Sequence, residues 1–161
     1  MTSREQEIIE LIELLYFAYR DFVSDPDEIL REYGFGRAHH RIIHFVGRNP
    51  GIRVAELLDI LRITKQSLGR VLKDLIESGH VEQREGNSDR RHRLLFLTAK
   101  GERLRGELVS PQIERFTAAL EASGPGSTGA YRDVLLHLVN QEDRKAVEAR
   151  ISRALAEPVL D

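Results

Sequence analysis

Two short stretches concentrate side chains that could do chemistry. In GNSDRRHRLLFLTAKG, residues 86–101, Arg90, Arg91 and Arg93 crowd beside His92 just before an apolar run. In TKQSLGRVLKD, residues 64–74, Lys65, Arg70 and Lys73 alternate with Thr64, Gln66, Ser67 and Gly69. The arginine fork matches phosphate oxygens and the guanine edge, glutamine matches adenine, and hydroxyls suit phosphates or base edges. The chemistry on offer is therefore recognition of a nucleic acid. A solvated helix face and an exposed basic turn would each explain one stretch alone, so the elements that position them decide.

Leu68, Val71, Leu72, Leu75 and Ile76 recur at spacings of three and four, which predicts a helix over 65–78 with an inward apolar face. Thr64 is a good N-cap for it, and Gly79 stops it. Val54, Leu57, Leu58 and Leu61 mark a shorter helix just before, joined through Arg62 and Ile63. Two helices with so short a link are a helix-turn-helix candidate. Residues 81–84 and 94–97 suit strands, with GNSD as turn residues between them. Helix, helix, strand, strand, helix is the order of a winged helix-turn-helix. It places Gln66, Arg70 and Lys73 on the face opposite the core, with the end from Thr64 to Ser67 reaching deepest into a major groove. The hairpin arginines cannot be buried and would enter a minor groove; Asp89, two residues before Arg91, can pair with it and hold it extended.

The rest of the chain reads as helix. Ile8, Leu11, Ile12, Leu15, Tyr19 and Phe22 form a stripe that Ile9, Leu14 and Phe17 widen beyond what one neighbour covers. Asp25-Pro26 predicts a fresh start for a short helix through Arg31, ended by Gly34 and Gly36, with a further helix over 37–46. Beyond a helix from Thr98 to about Ala122, the break SGPGSTG precedes helices over 131–139 and 146–155, Asn140 offering a cap for the last. The fold class expected is mainly α with a small β-wing, divided into N-terminal helices 1–36, a winged helix-turn-helix 37–105 and C-terminal helices 106–161.

Composition bounds the alternatives. The 161 residues carry a net charge of −2, yet residues 62–105 hold eleven basic and six acidic side chains, a local excess of five that leaves −7 elsewhere. That asymmetry is expected when one surface meets phosphates. With no cysteine, thiol redox switches and thiolate metal sites are excluded. No run approaches the roughly 18 apolar residues of a membrane span, and the opening MTSREQEIIELIELL lacks the pattern of a signal peptide. A cytoplasmic protein is the expectation. No metalloprotease helix motif, nucleophile elbow or phosphate-cradling loop occurs, and GFGRAHH lacks a third glycine, so an enzyme is not expected and no cofactor is implied.

In ITKQSLGRVLKDLIESGHV and in DRRHRLLFLTAKG, whose Asp-x-Arg is followed by a strand and Leu-Thr-x-x-Gly, the chain resembles the MarR family of bacterial transcription regulators. The resemblance implies that Thr64, Lys65, Gln66, Ser67 and Arg70, with Asp89 and Arg91 of the wing, meet double-stranded DNA; the placement of their charges adds Lys73, Arg90 and Arg93 to the expected contacts. It implies a repressor responding to a small-molecule effector held between helices near Tyr16, Tyr19, Phe35, His39 and Phe45. The residues themselves point to a homodimer, because the first helix and those after Tyr131 lack a partner in so small a winged domain. His40 and His44, four apart beside His39, could offer nitrogens to zinc or could pack and cap helices. A zinc-responsive regulator and a winged-helix protein-interaction module remain the alternatives.

Overall fold

The computed structural model describes residues 1–86 and 88–156; Asn87 of the expected turn and the last five residues of the expected C-terminal segment lie outside it. The order is α1 (Ser3–Glu32), α2 (Arg37–Arg48), β1 (Ile52–Arg53), α3 (Val54–Leu61), α4 (Lys65–Glu77), β2 (Val81–Glu85), β3 (Arg93–Leu97), α5 (Ala99–Ser123), α6 (Ser127–Leu138) and α7 (Arg144–Ala156). The chain forms two compact units, Met1–Arg115 and a second that begins at Phe116.

Helix α1 starts from a capping box: Thr2 Oγ1 accepts from Glu5 N–H at 3.1 Å while Glu5 accepts from Thr2 N–H at 2.5 Å. The helix break expected at Asp25-Pro26 does not occur. Pro26 lies inside one continuous helix, because Val23, Pro26 and Leu30 are buried along a single face and packing outweighs the lost N–H. Asp25 does not cap; its carboxylate accepts from Arg115 at 3.1 Å. Gly34, at φ +70°, then turns the chain into α2.

Between α3 and α4 the link is as short as expected, and it depends on Arg62 at φ 51° and ψ 41°. It is the one non-glycine residue with positive φ among the described residues. The left-handed turn lets its N–H reach Leu58 O at 2.9 Å and redirects the chain within three residues. The sheet has one strand more than the hairpin expected. β3 is central, flanked by β2 (Val81↔Leu97 to Glu85↔Arg93) and by β1 (Ile52↔Leu95, Arg53↔Leu94), all antiparallel. Two residues are too few to show a strand's period, so β1 had no sequence signal.

The core of the first unit gathers Leu30, Ile42, Ile43, Val46, Ile52, Leu57, Leu68, Val71, Leu72, Leu75, Val81, Leu95, Leu104 and Leu108. Every helix and strand from α1 to α5 contributes to it, at roughly 1.5–3 kcal/mol for each large side chain removed from water. Leu-Thr-x-x-Gly is explained by what happens at the end of α4. Thr98 Oγ1 donates to Gly79 O at 2.5 Å and accepts from Gly101 N–H at 3.1 Å, and Thr98 N–H donates to His80 O at 3.1 Å. A Cβ on Gly101 would lie 2.0 Å from His80 O, so no larger residue fits this crossing. In the second unit, α7 begins at Arg144, and Asn140 bonds Asp143 at 3.5 Å, at the limit of a hydrogen bond.

Three histidines of the first unit are held below their ordinary pKa. Burial is the main cause for each, with Arg41 adding to it at His40 against Asp27, and Lys100 adding to it at His80. For His44, burial and then His40, Arg48 and Arg105 lower the value to about 4. The folded protein therefore refuses protons that the unfolded chain accepts below about pH 6.5. Stability from this source is complete above that value and is lost as the pH falls toward 4. The urea midpoint should drop between pH 7.5 and 5.0, and His44→Phe should make the drop shallower; equal midpoints at the two pH values would contradict it.

Candidate nucleic-acid interface

Helix α4 begins with Thr64 in an extended conformation, its hydroxyl accepting from Ser67 N–H at 3.1 Å and donating to Ser67 Oγ at 2.9 Å. The two hydroxyls thus lock the first turn, leaving Lys65 and Gln66 projecting from it. Leu68, Val71, Leu72 and Leu75 are buried beneath, and Lys65, Gln66, Gly69, Arg70, Lys73 and Asp74 are exposed above. Ile76, expected inside, is half-buried. An added Cβ at Gly69 would meet nothing within 4 Å, so no protein neighbour requires glycine there. Lys73 approaches Glu77 at 3.8 Å, a loose exposed pair.

The wing is organised by Asp89. Its carboxylate accepts from Arg91 N–H at 2.9 Å, from Nε at 3.2 Å and from Nη2 at 3.1 Å, while its carbonyl accepts from His92 N–H at 3.0 Å. The side-chain and backbone bonds from Arg91 hold the Asp89 carboxyl below the usual carboxylate range. The Arg91 side chain remains 91% exposed, so the pairing orients it without covering it. Arg90 and Arg93 are exposed beside it, Arg93 opening β3. Arg84 is differently placed: its guanidinium lies 4.1 Å above the Phe96 ring and pairs with Glu82.

The residues expected around an effector are more dispersed. Phe35 stacks on His39 with centroids 4.7 Å apart, whereas Phe45 meets His44 edge-on at 5.1 Å. Tyr19 lies 5.9 Å below the Arg37 guanidinium, and Tyr16, like Tyr19, is exposed on α1. His39 uses both ring nitrogens, Nδ1 with Gly36 N–H at 3.0 Å and Nε2 with Asp74 at 3.0 Å. The partner of Asp74 lies 35 residues away in the chain, beyond any local pattern. Among the described residues no group of three or more His, Asp or Glu side chains is placed to hold a metal ion, and no helix is long and apolar enough to cross a membrane.

A MarR family model matches residues 33–92, the span from the end of α1 into the wing. The HTH-type transcriptional regulator PetP of Rhodobacter capsulatus is 45% identical over 141 residues, 88% of this chain and 85% of that protein. Among solved structures, NadR in complex with 4-hydroxyphenylacetate aligns with TM-score 0.67 and 27% identity, over 79% of this chain and 90% of its own. A mutant MarR from E. coli complexed with operator DNA aligns with TM-score 0.62 and 20% identity, over 86% of this chain and all of its own. With a winged helix-turn-helix in the structure and a relative this similar across most of both proteins, the chain belongs to the MarR family of DNA-binding transcription regulators, which are not enzymes.

Proposed function

We propose that the chain is a homodimeric, sequence-specific repressor that reads a palindromic operator in double-stranded DNA and is released by a small aromatic effector. The observation that carries this reading is the pairing of two exposed cationic features, the outer face of α4 and the Asp89–Arg91 wing, on one frame built by the same sheet and core. Gln66 and Arg70 are the base readers in this account, Lys65 and Lys73 favour phosphates, and Thr64 with Ser67 fixes the turn that presents them. Gly69 leaves room for a phosphate backbone to come close. Arg90, Arg91 and Arg93 serve the minor groove, where the potential is most negative. A protein-interaction module without DNA contact would gain nothing from so many exposed arginines on these two elements.

Dimerisation rests on α1. From Ile8 to Tyr19 it exposes nine large apolar side chains, Ile8, Ile9, Leu11, Ile12, Leu14, Leu15, Tyr16, Phe17 and Tyr19, between 39% and 69% accessible. A contiguous apolar surface of that kind marks an interface. A second copy of the chain is the occupant this reading requires, since two reading helices in fixed relation are what a palindrome with half-sites about 34–36 Å apart demands. In the second unit, taken by itself, Tyr131, Val134, Leu135 and Leu138 of α6 are exposed as well. The effector is supported by the Phe35–His39 stack and by the similarity to NadR, whose solved complex holds 4-hydroxyphenylacetate.

Selection of bound fragments from random duplex DNA should yield a palindrome. On that site Arg91→Ala should weaken binding to all sequences and reduce the salt slope by about one unit, whereas Arg70→Ala or Gln66→Ala should cost about 1–3 kcal/mol mainly at the preferred site. No change in either measurement would remove the contact assignment. Light scattering after size exclusion should report a dimer at micromolar concentration, and Leu11→Glu with Leu15→Glu should yield monomers that lose the palindrome; a wild-type monomer would refute the symmetry. Millimolar 4-hydroxyphenylacetate should raise the melting temperature and release DNA, and an unchanged melting curve would count against an effector of that class.

A further inference from the structure

Both nitrogens and one face of the His39 ring are engaged where α2 meets α4. Because Gly36 N–H donates to Nδ1, that nitrogen carries no proton, and the proton sits on Nε2, which donates to Asp74 Oδ2 at 3.0 Å. The ring face stacks on Phe35 with planes 13° apart, Phe35 stacks on Tyr33 at 5.8 Å, and the buried His80 closes on both rings edge-on. The His39 side chain is 12% exposed and that of Asp74 49%. A sheltered, fixed donor thus reaches a carboxylate on the solvent side of α4.

Asp74 stands one helical turn beyond Arg70, and residues four apart on a helix face each other. An Arg70–Asp74 pair is therefore the local alternative, and the neighbouring pair at the same spacing, Lys73 with Glu77, does form. Arg70 and Asp74 do not pair; the carboxylate is bonded to His39 instead. A guanidinium tied to a carboxylate must break that pair before it can bond a base, and a carboxylate left on the outer face repels phosphates.

We infer that His39 is a positioning residue for DNA recognition: by holding the Asp74 carboxylate at its Nε2–H, it keeps the Arg70 guanidinium uncommitted and draws a negative charge back from the surface that meets DNA. The inference rests on the reading of α4 as the DNA-facing helix. It assigns to His39 a role that needs neither a metal nor an effector, and it explains why a helix facing a polyanion tolerates an aspartate.

The test measures affinity of the full-length protein for its selected duplex at one ionic strength, for wild type, Arg70→Ala, His39→Phe, Asp74→Ala and the double variant His39→Phe/Asp74→Ala. Phenylalanine keeps a ring to stack on Phe35 and removes both hydrogen bonds. His39→Phe should weaken binding on the order of three- to tenfold, the effect of one exposed pair and one repulsive charge. Removing the carboxylate should restore it, so the double variant binds at least as tightly as wild type. A ring that only supported the fold could not be rescued by deleting a surface aspartate, and a double variant as weak as His39→Phe overturns the inference. Asp74→Ala alone leaves the Phe35–His39 stack in place and is readable even where His39→Phe fails to fold: binding as tight as wild type or tighter supports the inference, weaker binding overturns it. Arg70→Ala separates the two levels, because undiminished binding there would overturn the DNA-facing assignment of α4 and the role of His39 with it. Loss of binding by Arg70→Ala without rescue by Asp74→Ala would overturn the role of His39 alone.

Discussion

The geometry of the first unit depends on one crossing, where the end of α4 passes under the start of α5. Three hydrogen bonds converge there through Thr98, and Lys100 Nζ adds a fourth to Ser78 O at 2.8 Å. The approach is so close that Gly101 has no room for a Cβ against the His80 carbonyl. Because β2 begins at the next residue, Val81, the crossing sets the angle between reading helix and wing together. Polar backbone groups that would otherwise be stranded at the end of α4 find partners in it, so the cost of burying this junction is offset by its own bonds. His80 shows how tight it is: Nδ1 meets Ser78 Oγ at 2.7 Å, while Nε2 is buried without a partner. An unprotonated ring fits that environment best, in keeping with the lowered pKa.

Charge in this molecule is arranged by the local partner rather than by number. Asp89 orients Arg91 yet leaves it 91% exposed, which reduces the rotamer freedom to be lost on contact with a partner. Arg84 is spent on Phe96 and Glu82 and belongs to the sheet, although it lies within the same basic window. Arg105 is likewise paired, with Glu102 at 2.9 Å. A net excess of positive charge over residues 62–105 therefore overstates what is available to a polyanion. The pairing geometry sorts arginines that build the domain from arginines that project from it.

A second contrast runs along α1. Its C-terminal third contributes Val23, Pro26 and Leu30 to the interior, while the part from Ile8 to Tyr19 exposes apolar side chains at every turn. One helix so divided is anchored at one end and unfinished at the other. A break at Pro26 would uncouple the two parts; continuity through it means that whatever covers the exposed part is mechanically joined to the end of α1, where Tyr33 and Phe35 lie against His80.

Local pattern alone carried most of the architecture. Apolar spacings of three and four, the Thr64 cap, the Gly79 stop and the short turn of Arg62 and Ile63 are properties of neighbours in the chain, so helix-turn-helix, hairpin and the cationic residues were legible in the sequence. Asp89 and Arg91 were legible for the same reason, being two residues apart. What tertiary structure decided was every relation across distance: that Pro26 continues a helix because its face is buried, that Ile52 and Arg53 join the sheet by pairing with β3, and that Arg84 stacks on Phe96. His39 is the clearest case. The four-residue spacing of its neighbours His40 and His44 was visible in the chain, whereas its own ring bonds Asp74 on another helix, and no periodicity encodes a hydrogen bond that exists only once two helices have packed.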